Sequence, residues 1–436
     1  MDSTASLAGF NRALPPSHPA PLLVGLSGGL DSTALLHALA SDEHSRAHGM
    51  RAVHVHHGLQ SAADDWAAHC RSSCDSLGIE LQVVAVDVDR NGGEGLEAAA
   101  RKARYSVFER LLGDDEVLVT AHHLDDQAET FLLRALRGSG PDGLAAMRPW
   151  RKFGKGWHWR PLLDTPRSDL LAYARQHGLA WLDDPSNEDL RHNRNFLRQR
   201  ILPLLRERWP QVHAAFARSA VLSADAVELL AGEDALALAM IRTLDPRAIS
   251  VNALLGLATV RRARVLRRWI DELGLPPLPG EGVAQIESDL LPARADARAR
   301  FEWRDVVIER WRDLLHVQYQ RPPLPDAWSV QWEGREALAL PGGDLLQLEG
   351  ADALPVPLRV FARQGGERIT LPGRTQSRTL KNVLQQLGVP PWERAVLPLL
   401  AAGDGELEAV GDLAYSAGLD AWLRQAGARL HWLRRE

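Results

Sequence analysis

Over the first 190 or so residues, short apolar runs alternate with stretches whose apolar positions recur every three or four residues. Leu22–Leu26, Ala52–His56, Leu81–Val88 and Glu116–Thr120 read as strands, with His54 and His56 alternating onto one face of the second. Between them lie helical patterns, clearest over Leu96–Leu112, where Leu96, Ala100, Ala103, Val107 and Leu111 form one stripe. Strand–helix alternation predicts a Rossmann-like, doubly wound and mostly parallel sheet in an α/β domain, with ligands bound beyond the carboxyl ends of its strands. From about Asn195 to Gly274 the pattern turns helical, and a break at Leu275–Gly280 comes next. Strands are expected around Arg300–Trp311 and Leu314–Gln318, then a Pro-rich stretch, Arg321–Asp326. The last hundred or so residues mix short strands with one helix, Thr379–Leu387. The expected organisation is a catalytic domain over 1–215, a mainly helical domain over 216–330 and a small α/β domain over 331–436.

Composition narrows the class. The 436 residues carry a formal charge of −5 and are 45% hydrophobic, which excludes wholesale disorder. No apolar run approaches the roughly 20 residues of a membrane span, and the N-terminal stretch lacks the pattern of a secretory signal. Two cysteines cannot make a disulfide framework, so a cytoplasmic protein is expected. Cys70 and Cys74, one turn apart, read as small helix residues. The only lysines are Lys102, Lys152, Lys155 and Lys381, none within Gly-Lys-Ser/Thr, which excludes the common Walker loop.

The sharpest chemical signal is LLVGLSGGLDST, Leu22–Thr33. A strand delivers Ser27, Gly28, Gly29, Leu30, Asp31 and Ser32 to the start of a helix read as Thr33–Ala40. Adjacent glycines let the backbone approach a ligand closely. The unpaired N–H groups and dipole of a new helix welcome an anion. The residues thus describe a phosphate site. Asp31 beside phosphate would be repelled unless a cation lay between, which implies Mg²⁺.

A second cluster comes after the Glu116–Thr120 strand: His122, His123, Asp125, Asp126 and Glu129. On a helix starting near His123, Asp125 and Glu129 share a face. Dipole capping explains one aspartate, but the density suits a metal or a cationic substrate. Zinc is the rival reading, with His54, His56 and His57 as further ligands, but no zinc-ligand spacing supports it. Arg101, Arg104, Tyr105 and Phe108 make a second stripe on the Leu96–Leu112 helix, either a phosphate or base clamp or solvated surface. Gly138–Gly143 fits the dinucleotide pattern G-x-G-x-x-G, but it comes after a helix, Thr130–Leu136, and no NAD is inferred.

Arginine is clustered. Arg191, Arg194 and Arg198 fall on one helical face, with Leu197, Ile201 and Leu204 opposite as the buried face. Residues 191–208 hold six arginines against one glutamate, a local +5. Arg261, Arg262, Arg264, Arg267 and Arg268 form a second +5 patch. The first lacks i±4 acids and the second has no intervening acid, so both read as nucleic-acid footprints within an acidic protein and predict RNA affinity that falls with salt.

Taken in order, these motifs resemble the tRNA(Ile)-lysidine synthetase family of the PP-loop ATP-pyrophosphatases. Besides SGGxDS, the chain carries His54-Val55-His56-His57-Gly58-Leu59, Glu97–Arg101 with Arg104-Tyr105, and Thr120–Thr130. Arg137–Leu144 accounts for the glycine-rich decoy; Arg160–Leu163, Asp184–Asn187, Arg194–Arg198 and the region Gly366–Ser416 complete the match. His56 departs from the asparagine usual in the family. The resemblance implies that ATP adenylates O2 of the wobble cytidine in a CAU anticodon, after which the ε-amine of free lysine attacks C2, expels AMP and leaves lysidine. It also implies that Ser27–Ser32 and His57 hold ATP and that Asp31 and Asp126 hold Mg²⁺. Arg104 and Arg194 would neutralise phosphoryl charge, and Asp125, Asp126 or Glu129 would handle the lysine amine. Arg191, Arg194, Arg198, Arg261 and Arg262 would bind tRNA. Which carboxylate does what stays open, as does assembly, with a homodimer allowed. A tRNA 2-thiocytidine synthetase is the nearest alternative, disfavoured because Cys70 and Cys74 lack Cys-x-x-Cys spacing. A catalytically silent RNA-binding protein is disfavoured by the carboxylate cluster.

Overall fold

The computed structural model describes residues 20–58, 63–88, 96–184, 188–294, 299–403 and 405–434. Leu59 and Pro185–Asn187, which belong to two of the sequence motifs, lie outside the described residues. The chain divides into two compact units, Met1–Ala231 and Gly232–Glu436.

In the first unit, strands β1 (Leu22–Gly25), β2 (Met50–His56), β3 (Glu80–Ala85), β4 (Val117–Val119), β5 (Trp150–Phe153) and β6 (Gly156–Trp159) form one sheet in the order β3-β2-β1-β4-β6-β5. Every pairing is parallel except β5 with β6. The helices are α1 (Leu30–Ser41), α2 (Glu43–Ala47), α3 (Ala63–Leu77), α4 (Leu96–Leu111), α5 (Leu124–Ala135), α6 (Pro141–Leu144) and α7 (Arg167–Gln176). The period of two decides which face each strand residue covers. Leu22, Val24, Ala52, Val117 and Val119 pack with Leu35 and Leu39 of α1, Cys70 and Cys74 of α3 and Leu170 and Tyr173 of α7. Leu23, Val53, Val55 and Leu118 pack on the other side with Val107 and Phe108 of α4. Covered on both faces, each such leucine contributes about 1.5–3 kcal/mol by burial. Strand order reverses between β1 and β4, so the loops after these two strands open a crevice at the sheet's carboxyl edge.

The parallel sheet, helical middle region and terminal mixed region expected from the sequence are present. The β5–β6 hairpin adds an antiparallel edge to that expectation, and α1 starts at Leu30 rather than Thr33. Phe108, placed by spacing on the polar stripe of α4, is buried in the core. The basic helix is interrupted: α8 (Asn193–Phe196), a π turn over Leu197–Ile201, then α9 (Leu202–Arg208). The π turn adds one residue to its turn and rotates the helix beyond it. Leu202 is therefore buried at 2% exposure, whereas Leu204, expected in the buried face, is 62% exposed. Helix α10 spans Val212–Ile241.

The second unit opens with an antiparallel sheet, β7 (Ala248–Ser250), β8 (Arg300–Trp303), β9 (Val306–Trp311) and β10 (Leu314–Tyr319), ordered β7-β10-β9-β8. Val251 and Leu254 of α11 (Val251–Leu255) and Val265, Leu266, Trp269 and Ile270 of α12 (Thr259–Glu272) share its core. Beyond it, antiparallel sheets of five, three and two strands share a second core with Leu380, Val383 and Leu384 of the helix Leu380–Gln386.

Candidate active site

The loop after β1 is built by its own hydroxyls and one glycine. Gly28 has φ +83°, and an added Cβ would meet the buried Cys70 sulfur at 3.0 Å. Gly29 has φ −82° and room for a methyl at ordinary contact distance, so local strain does not require glycine there. The Ser32 hydroxyl donates to Gly29 O (3.1 Å) and accepts from Ser27 N (3.2 Å), while the two serine hydroxyls lie 2.9 Å apart. Leu182 N donates to Gly28 O, drawing its own segment over the loop. Gly29 caps α1 without a side chain, and Thr33 N is the first to reach back, to Gly29 O. The N–H groups of Leu30, Asp31 and Ser32 have no intrahelical partner, so an anion-binding turn faces the crevice.

Asp31 ends this turn. Its Oδ1 is buried without a hydrogen bond, 3.4 Å from Arg167 Nε, and its Oδ2 is 3.6 Å from His123 Nε2. Among the described residues, no group of three His, Cys, Asp or Glu side chains converges to hold a metal. An unsatisfied carboxylate oxygen beside a phosphate-type turn fits Mg²⁺, which binds through one or two carboxylates and completes its shell with substrate phosphates and water.

The loop after β4 supplies the opposite wall. His123 caps α5: its backbone N–H donates to Asp126 Oδ2 (3.1 Å), and its ring accepts a long bond from Asp126 N (3.4 Å). Burial alone would depress this imidazole, but Asp126, Asp31 and Asp125 together outweigh it and raise its pKa above the ordinary value. Glu129 is fully buried. Its Oε2 accepts from Arg194 Nε (2.7 Å) and its Oε1 from Arg198 Nε (2.6 Å), and Asp126 Oδ1 accepts from both arginines at 3.0 and 3.1 Å. Asp126 is largely enclosed, which opposes its ionisation, yet His123, Arg194 and Arg198 hold it well below the usual carboxylate range. Asp125 accepts from Arg167 N (2.9 Å) and faces His213 at 3.7 Å. A cleft of about 230 Å³ opens here, lined by Asp125, Glu129, Arg167, Arg198, Arg206 and His213.

Two further groups stand nearby in the sheet's carboxyl edge. His57, after β2, lies 3.3 Å from the exposed Arg104, and its buried Nδ1 has no partner. Burial first, then Arg104, pushes this imidazole down to about 4. The Thr120 hydroxyl bridges His122 Nδ1 and His158 Nε2, both at 2.8 Å, and Arg160 reaches His158 Nδ1 at 3.1 Å. Burial, more than the neighbouring arginines, pushes His122 down to about 3.

The structure thus gathers Ser27–Ser32, Asp31, Asp125, Asp126, Glu129 and Arg194 around one crevice and pairs His57 with Arg104. It turns part of the arginine clusters inward and leaves Arg200, Arg206, Arg208 and Arg267 exposed. Arg194 and Arg198 turn inward onto Asp126 and Glu129, and exposed Arg191 pairs with Asp189. Arg261, Arg262, Arg264 and Arg268 pair with Glu233, Glu287, Asp234 and Glu272. Most of their partners come from other turns and helices, which a search for i±4 acids misses. Arg167 and His213 carry no local signal in the sequence; Arg198, expected from the sequence as a tRNA contact, here holds Glu129 and Asp126. Gly138–Gly143 runs from the turn after α5 into α6, with Arg134 donating to Gly143 O. His54 is a buried prop, hydrogen-bonded to Leu26 O.

A parallel sheet with an SGGxDS turn at its switch point defines a PP-loop nucleotide-binding domain, and residues 4–205 match the model described as the PP-loop domain. Residues 249–316 match a TilS substrate-binding domain and 358–432 a TilS substrate C-terminal domain. The chain is 52% identical to a tRNA(Ile)-lysidine synthase of Xanthomonas campestris pv. campestris over 96% of both chains. It is 51% identical to one of Xylella fastidiosa over 96% of both, and 42% identical to one of Serratia proteamaculans over 94% of this chain and 95% of the relative. The chain belongs to the tRNA(Ile)-lysidine synthase family, tRNA-modifying enzymes with an ATP-using PP-loop domain.

Proposed function

We propose that this protein joins free L-lysine to C2 of the wobble cytidine of tRNA(Ile) bearing a CAU anticodon. Cytidine O2 attacks the α-phosphorus of ATP and releases pyrophosphate. The lysine ε-amine then adds at C2, AMP departs with the oxygen, and a proton leaves the nitrogen, giving lysidine. The observation that carries this reading is the uncapped turn of α1, with its unsatisfied Asp31 oxygen, facing a carboxylate–guanidinium cluster across one crevice.

In this reading the Ser27–Ser32 loop holds the pyrophosphate end of ATP through its free N–H groups, those of Leu30, Asp31 and Ser32 among them, with His57 beside it. Asp31 holds Mg²⁺, which screens phosphate charge when bound. Asp126, the other metal candidate, has both oxygens engaged by Arg194, Arg198 and the His123 N–H, so it orients those groups instead. Arg104 and Arg194 neutralise charge building on the transferring phosphoryl group. Glu129 is saturated by two arginines, which leaves Asp125, in the 230 Å³ cleft, to bind the lysine ammonium and take its proton; the amine must be neutral to attack. Residues 216–330 and 331–436 hold the tRNA. The deciding measurement is AMP release from labelled ATP, expected only when tRNA(Ile) and lysine are both present and lost in Asp31→Ala. AMP formed without lysine incorporation into RNA would reject the reaction, and full activity in Asp31→Ala would reject the site.

A further inference from the structure

A cleft of about 560 Å³ lies wholly within the second unit, between the polar face of β10 and the helix Pro391–Val396. Its volume is that of a site for a small ligand. Period-two alternation builds one wall: Leu315 and Val317 of β10 point into the core, while Leu314, His316 and Gln318 line the cleft. His316 stacks on Trp392, with ring centroids 5.3 Å apart, and Trp311 meets Trp392 edge-on.

Two buried ring nitrogens on this wall have no partner, His316 Nδ1 and Trp392 Nε1. His316 Nε2 faces Asp245 Oδ2 at 3.4 Å, a neighbour that favours the proton on Nε2 and so Nδ1 as an acceptor. Burial, against the pull of Asp245 and Glu393, keeps the ring neutral by lowering its pKa. Trp392 Nε1 can only donate. The wall therefore presents one unsatisfied donor and one unsatisfied acceptor beside aromatic faces, and leaving such groups unpaired is costly. Three arginines, Arg247, Arg321 and Arg434, line the same cleft against two acids, Asp245 and Glu393. Arg321 and Arg434 share Glu393 at long distances of 3.4 and 3.5 Å. Arg321 and Arg434 also face Asp344 and Asp412 at 3.7 Å, which leaves Arg247 as the lining arginine whose guanidinium has no carboxylate partner among the described residues. The cleft suits a ligand with a flat heteroaromatic ring, a mixed donor–acceptor edge and an anionic group near Arg247.

We infer that this cleft receives one unpaired nucleotide of the RNA substrate, its base packed against Trp311 with its edge on Trp392 Nε1 and His316 Nδ1, and its phosphate near Arg247. The inference rests on the proposed tRNA substrate and adds to it a second point of base recognition, separate from the wobble base. The test uses the full chain and a tRNA(Ile) transcript, comparing wild type with Trp392→Ala and Trp392→Phe by filter binding and by nucleotide-resolved chemical probing of the bound RNA. Loss of the Trp392 wall and of the base seated on it should raise Kd roughly 5- to 150-fold in Trp392→Ala. An unpaired nucleotide other than the wobble base should be protected in the wild-type complex and lose that protection in the variant. Trp392→Phe keeps a ring packed on His316 without the N–H and should fall between; it decides the matter if the alanine variant melts early. Wild-type binding with unchanged Kd and probing pattern in both variants would overturn the inference, marking the cleft as water-filled while the tRNA reading stands. Failure of the wild type to bind tRNA would instead remove the proposed function, and this site with it.

Discussion

Replacing Glu129 with glutamine exchanges one oxygen for an NH₂ in a fully buried side chain, and the two arginines around it set the consequence. Its carboxylate accepts from Arg194 Nε at 2.7 Å, Arg198 Nε at 2.6 Å and the Arg198 terminal nitrogen at 3.1 Å. Whichever way the amide turns, its NH₂ meets a guanidinium donor, so one bond becomes a donor–donor contact. Asp126 then faces two arginines alone, and the cluster gains a net positive charge out of water. Breaking a buried pair by removing one partner costs about 3–5 kcal/mol. Arg194 and Arg198 are 24% and 34% exposed, so water offsets part of the loss, and we take about 3 kcal/mol, at the low end. Over a cooperative unit of this size, that lowers the melting temperature by roughly 6–12 °C. The assay is native-state hydrogen exchange at the β1 and β4 amides, where protection should fall by the same free energy. Unchanged protection would mean the arginines find solvent freely and that the ion-pair argument is wrong. Unchanged protection with lost activity would make Glu129 a group that acts on substrate directly.

The remaining predictions concern the loop, the histidines and the surface. Gly28→Ala forces a left-handed conformation and a Cβ 3.0 Å from Cys70 Sγ, and should cost about 1–3 kcal/mol and weaken ATP binding; Gly29→Ala should fold as wild type. If calorimetry finds Gly29→Ala stable yet unable to bind ATP, a ligand rather than the fold requires that glycine. His57 and His122 are held neutral down to about pH 4 and about pH 3, below the unfolded imidazole value near 6.5. The unfolded chain then binds more protons, so their contribution to stability is present above about pH 6.5 and is lost as pH falls through the folded values. Denaturant titrations at stepped pH should show that loss, reduced in His57→Gln. For tRNA, affinity should fall with salt, and changing the exposed Arg200 and Arg208 to Gln should flatten that slope; Arg198→Gln should leave the slope alone, since Arg198 serves internal carboxylates.

Much of this molecule is written locally. The period-two apolar strands, the helical stripe of α4 and the Ser27–Ser32 turn depend on residues near in sequence, because backbone geometry repeats over two or 3.6 residues. So does the clustering of His123, Asp125, Asp126 and Glu129 on the first turns of α5. The order of residues was therefore enough for the sheet, its binding edge and the family. It was not enough to say who neutralises whom. Arg194 and Glu129 are 65 residues apart and meet only because α5 and α8 pack together, and a single π turn decides which leucine faces inward. Charge pairing acts through space over a few ångströms, so within two arginine runs that look like open patches Arg194, Arg198, Arg262 and Arg264 become ties to carboxylates. The carboxyl edge of the sheet was legible from neighbours along the chain; the partners that hold its side chains come from remote segments, and only their packing brought them within reach.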